Sequence, residues 1–65
     1  MNIILNGAPA TVETDRLDQV LAELGYANAV VATAVNSEFV RRDLRDQTTL
    51  TDGDRLEIIA PMKGG

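Results

Sequence analysis

The chain carries one apolar stripe at helical spacing. Leu17, Val20, Leu21 and Leu24 recur at i, i+3, i+4 and i+7, which predicts an amphipathic helix of a little over two turns. A lone helix of that length cannot cover its own apolar face, so the remaining segments have to supply a sheet for it to pack on. Gly25 stands where a C-terminal cap belongs. Thr14 or Asp15 is the expected N-cap. Asp15 and Asp18 sit where carboxylates favour the helix macrodipole, and no catalytic role is assigned to them.

The other segments read as short strands. In Asn2 to Asn6, Ile3 and Leu5 share one face while Asn2, Ile4 and Asn6 share the other. Asn6-Gly7 is a hairpin-turn signal, because both residues tolerate positive φ. Ala10 to Glu13 is the expected return strand, with Pro9 at its entrance. After a link through Tyr26 and Asn28, Val30 to Val35 has the small, β-branched character of a buried strand. Asn36-Ser37 then turns the chain into a short partner, Glu38 to Arg41, and Arg42 to Gln47 reads as a loop or a single helical turn. Asp52-Gly53-Asp54 reads as a turn with a left-handed glycine. As a calcium loop it would lack the further ligands and the closing glutamate.

Arg55 to Ala60 is the last strand, with Leu56 and Ile58 toward the helix and Arg55, Glu57 and Ile59 on the open face. The order ββαβ(β)β describes an α+β domain: a mixed sheet of four to five strands with one main helix on one face. The first and last strands are expected side by side at its centre, which is the β-grasp plan. Residues 1–60 would form this domain and residues 61–65 a flexible tail.

Composition narrows the chemistry. A chain of 65 residues buries only about 60% of the surface it exposes when unfolded. There is no cysteine and no histidine, hence no disulfide, no thiol nucleophile, no zinc cluster and no neutral-pH proton shuttle. Neither a metal nor a cofactor is expected on the chain itself. The net charge is −4. Arg41, Arg42 and Arg45 are interleaved with Asp43 and Asp46, which suits a solvated loop better than a phosphate site. With Tyr26 and Phe39 as the only aromatics, there is neither the basic stripe nor the stacking platform of a nucleic-acid binder. The apolar runs are too short to span a bilayer, and the start lacks the basic n-region of a signal peptide. A cytoplasmic protein is the expectation.

The sequence closes on Gly64-Gly65 after the connector Pro61-Met62-Lys63. Without Cβ atoms, the two glycines can thread a narrow channel and adopt backbone angles closed to other residues. Extended, the six residues from Ala60 to Gly65 reach roughly 20 Å. Ile59, Pro61, Met62, Lys63 and Phe39 are the candidate partner-binding residues, an apolar patch near the tail. Ile59 and Phe39 serve equally to finish the core, and both readings stand at this stage.

Taken in order, several features resemble the ubiquitin-like sulfur carriers of bacteria, the ThiS/MoaD-like family. They are the opening strand ending in Asn6, Ala34-Val35-Asn36 followed by Phe39-Val40 and an arginine, Leu50 before Asp52-Gly53-Asp54, Leu56-Glu57-Ile58, and Gly64-Gly65. Such carriers often have a proline before an arginine just after the Val40 position. Here Arg41-Arg42 stands there, which bears only on the conformation of that loop. The resemblance implies a β-grasp fold and a role as protein co-substrate rather than enzyme.

It also implies a cycle. An E1-like adenylyltransferase would use ATP and Mg to adenylate the Gly65 carboxylate, with Gly64 threading the tail. A persulfide donor would leave a thiocarboxylate on Gly65, and thiazole synthase would take the sulfur in thiamine biosynthesis. The nearest rival is the small subunit of molybdopterin synthase. A passive interaction module, or a modifier forming an isopeptide through Gly65, is the alternative from another class.

Overall fold

A computed structural model describes residues 1–61 of the chain. Strands β1 (Asn2–Leu5), β2 (Ala8–Thr11), β3 (Ala32–Val35), β4 (Glu38–Val40) and β5 (Arg55–Ile59) form one sheet in the order β2-β1-β5-β3-β4. Helix α1 (Leu17–Glu23) and a 3-10 helix (Arg42–Gln47) complete the fold. β1 and β5 lie side by side and parallel, with Ile4 opposite Arg55; every other pairing is antiparallel. This is the expected β-grasp plan, with five strands.

The core is Ile3, Val12, Leu17, Val20, Leu21, Leu50, Leu56 and Ile58. It lies between the sheet and α1, and it contains the first three residues of the helical stripe; Leu24 packs partly buried against it. β5 alternates as expected: Leu56 and Ile58 are buried, while Arg55, Glu57 and Ile59 are exposed.

The helix ends where Gly25 was expected to end it. Gly25 takes φ 94°, its N–H donates to Ala22 C=O at 3.1 Å, and Tyr26 N–H donates to Leu21 C=O at 2.7 Å. These two bonds form a Schellman cap. The start differs from expectation. The N-cap position is Arg16, and no side chain caps it, so neither Thr14 nor Asp15 has that role. Backbone from a distant segment replaces the cap: Leu17 N–H donates to Thr48 C=O at 2.8 Å and Leu50 N–H to Asp15 C=O at 2.7 Å, around an Arg16–Thr49 bridge. Asp18 does stand in the first turn, where it accepts from Gln19 N–H and from the Arg16 guanidinium.

β1, β4 and β5 each end one residue earlier than expected, and two strands shift by two residues. Asn6 and Gly7 both take positive φ, 48° and 84°, so the turn spends only two residues and pairing resumes at Ala8, opposite Leu5. β2 therefore begins before Pro9, which is tolerated because β2 is an edge strand. β3 starts at Ala32, not Val30, because its ladder with β5 runs out where Ala32 faces Ile59. Val30, beyond that point, is 75% exposed.

Arg45 overturns the reading of residues 41–46 as a wholly solvated loop. It is buried, and its guanidinium donates to Val31 C=O, just ahead of β3, at 2.6 Å and to Thr33 Oγ1 within β3 at 3.2 Å. Thr33 Oγ1 in turn donates to Val40 C=O at 2.9 Å. Arg41 is exposed as expected and pairs with Asp43.

Two carboxylates brace loops. Glu23 accepts from Glu13 N–H at 2.8 Å, and from the N–H and hydroxyl of Thr14. Those donors, Glu13 N–H foremost, hold its carboxyl below the ordinary value of 4.5. Asp54 is lowered likewise by Thr51 N–H and the Asn36 amide. A carboxyl lowered in the fold stabilises it above the unfolded value and loses that contribution as pH falls through the folded one. The melting temperature is therefore expected to drop as pH falls below about 4.5. Glu23→Gln, which cannot titrate, should drop less steeply over the same window; parallel curves would refute the assignment.

Candidate functional site

The site is built where β5 leaves the sheet. The open face of β5 runs Arg55, Glu57, Ile59, polar first and apolar at the exit. Ile59 is 57% exposed, and Ala60 and Pro61 follow it, both exposed. Val30, Val31, Ala32, Ile59, Ala60 and Pro61 line one shallow apolar groove. Val30 enters it because β3 begins two residues later than its sequence suggests.

Phe39 lies in β4, opposite Ala34, and is 68% exposed. Ala34 in turn faces Glu57, so register places Phe39 on the same face as Ile59, with small alanines between. Phe39 does not line the groove. The reading in which Ile59 and Phe39 finish the core is overturned, since neither belongs to the buried cluster. Pro61 joins Ile59 in the groove. Met62, Lys63, Gly64 and Gly65 lie outside the described residues.

Two residues with a part in this site carry turn signals in the sequence, which does not show what their carboxamides bind. Asn6 accepts from Ile58 N–H at 2.8 Å through Oδ1 and donates to Ile58 C=O at 3.3 Å through Nδ2. Asn36, also at positive φ, accepts from Arg55 N–H at 3.0 Å and donates through Nδ2 to Asp54 Oδ1 at 3.1 Å. The two asparagines thus grip β5 near its end and at its start. Asp52 accepts from Asn2 N–H at 2.7 Å and Asp54 from Thr51 N–H, so both carboxylates of the 52–54 turn are engaged by the protein's own donors, as a structural turn requires. Among the described residues no cluster of acids could hold a metal ion, and no helix is long and apolar enough to cross a membrane.

A model of the ThiS family matches residues 3–65. The chain belongs to the ThiS family. A sulfur carrier protein ThiS from Thermus thermophilus is 40% identical over 62 residues, covering 94% of this chain and 95% of that one. A thiazole synthase from Paramagnetospirillum magneticum is 33% identical over 66 residues, and there the whole chain spans only 20% of the longer protein. The crystal structure of a thiamine biosynthesis protein (ThiS) from Geobacter metallireducens superposes with a TM-score of 0.83 at 36% identity, covering all of both chains. The ThiS family match and this superposition agree with the β-grasp architecture.

Proposed function

We propose that the chain is a sulfur carrier of thiamine biosynthesis that works through the Gly65 carboxylate. The observation that carries this reading is the 40% identity to a sulfur carrier protein ThiS over nearly the full length of both chains. In the proposed cycle an E1-like adenylyltransferase of the ThiF type lets a Gly65 oxygen attack the α-phosphorus of Mg-ATP, releasing pyrophosphate. The terminal sulfur of a persulfide displaces AMP, and a second thiol cleaves the resulting S–S bond to leave the thiocarboxylate. Thiazole synthase then accepts the sulfur.

The division of labour follows from the sequence. With no cysteine and no histidine, the chain has no thiol nucleophile and no neutral-pH base of its own; a carboxylate needs a leaving group it cannot install by itself. We assign the chain the role of co-substrate, with ATP and Mg held by the partner. A cycle that consumes ATP belongs in the cytoplasm. The groove at Ile59 and Pro61 suits a docking surface at the root of the working segment. That the whole chain matches a fifth of a thiazole synthase supports that enzyme as acceptor and favours the thiazole branch over the molybdopterin one.

The test is intact-mass analysis after incubation with ATP, the activating partner and a persulfide donor. One oxygen should be replaced by sulfur at Gly65. An unchanged mass beside a partner that loads another ThiS carrier would refute the reading.

A further inference from the structure

The pairing of β1 with β5 stops before β5 does. β1 ends at Leu5, opposite Leu56, and Asn6 N–H donates to Leu56 C=O at 2.9 Å. The chain then turns away through Asn6 at φ 48°. The next β5 groups facing that side are the N–H and C=O of Ile58, and no β1 backbone remains to meet them. The Asn6 carboxamide takes its place, accepting from Ile58 N–H and donating to Ile58 C=O. A carboxamide presents the same donor and acceptor as a peptide group, so the side chain adds one rung to the ladder. That rung lies one residue before the end of β5.

We propose that Asn6 is a positioning residue for the carrier chemistry. Its carboxamide secures the last rung of β5 on the β1 side and thereby sets the direction from which the residues after Ile59 are presented to a partner. This inference rests on the sulfur-carrier reading. The physical reason is entropic: Ile58 is the last β5 residue held on the β1 side, and loosening it adds conformations at the root that must be frozen out when the chain end engages a partner. Misplacement of a reacting group by about 1 Å costs up to about 100-fold in rate. The groove assigned to docking is lined by Val30, Val31, Ala32, Ile59, Ala60 and Pro61 and not by Asn6, so the cost falls on turnover and not on binding there.

Two variants separate this role from folding. Asn6→Gly keeps the positive φ and removes the carboxamide. Asn6→Asp keeps the turn and the acceptor for Ile58 N–H but sets an anionic oxygen against Ile58 C=O. As a control, Gly25→Ala strains a turn at φ 94° away from β5.

With the activating partner, both Asn6 variants are expected to lose about tenfold in kcat for adenylation, with KM for the carrier within about twofold. Gly25→Ala, though less heat-stable, should keep both constants. Hydrogen exchange at Ile58 N–H should quicken at least about tenfold in Asn6→Gly while Val20 N–H keeps its rate. If the wild-type chain is never adenylated, the carrier reading fails and this inference with it. A loaded wild type with an unchanged kcat in Asn6→Gly, or a kcat loss shared by Gly25→Ala, overturns the positioning role alone.

Discussion

Removing Gly65 is expected to abolish sulfur loading while leaving the fold intact. The truncated chain still ends in a carboxylate, on Gly64, so the functional group itself survives. What changes is its position, by about 3.3 Å along an extended chain, several times the displacement that costs a reaction about 100-fold. The fold should not notice, because among the described residues the core runs from Ile3 to Ile58. Gly65→Ala is the informative companion. It restores the length and adds only a methyl group, so loading at a reduced rate would assign the defect to width, and loading at the wild-type rate would assign it to reach alone. Intact-mass measurement of the thiocarboxylated fraction reads all three chains. Wild-type loading of the truncated chain would remove Gly65 from the mechanism.

The second large effect is on stability. Arg45→Ala is expected to cost about 2–3 kcal/mol, since a hydrogen bond from a charged donor is worth about 1.5–3 kcal/mol and the buried stem contributes packing besides. The side chain joins the 3-10 helix to Val31 and Thr33 of the neighbouring segment. Truncation leaves the Val31 carbonyl without that donor, whereas Thr33 retains its bond to Val40. A core in a domain this small rarely supplies more than about 3–5 kcal/mol, so the loss is a large share of the total. Arg45→Lys should recover only part of it, because a single ammonium does not reproduce the guanidinium fork that reaches both acceptors. Urea denaturation of the three chains provides the comparison. A midpoint for Arg45→Ala within the error of wild type would show the guanidinium contributes nothing net.

Arg45 also shows where sequence reasoning stops. In the string Arg41-Arg42-Asp43-Leu44-Arg45-Asp46 nothing local distinguishes the one buried arginine, since its burial is decided by which strand lies beneath it. The N-terminus of α1 is a similar case. Thr14 and Asp15 have the right chemistry for a cap, but carbonyls and amides of residues 48–50 arrive there instead. By contrast, β5 was legible because a half-buried strand must alternate, and its five residues do. The helix was legible because its stripe could only be a core face. For Asn6 the positive φ was readable from Asn6-Gly7, while the use of its carboxamide was not, because the partner Ile58 is 52 residues away. Val30 misled through propensity: it is β-branched, but the ladder that would have used it had already ended.

The parallel run of β1 against β5 has a practical consequence. Met1 sits by the turn that opens β5, with Gly53 N–H donating to Asn2 C=O at 2.7 Å, whereas Ile59 lies at the opposite pole of the sheet, roughly 20 Å away at strand rise. Met1 donates from its amino nitrogen to Val12 C=O at 2.8 Å, and an amide nitrogen can make the same bond. An affinity handle or fluorescent label added ahead of Met1 therefore projects from the pole remote from delivery, and leaves the delivering end unencumbered.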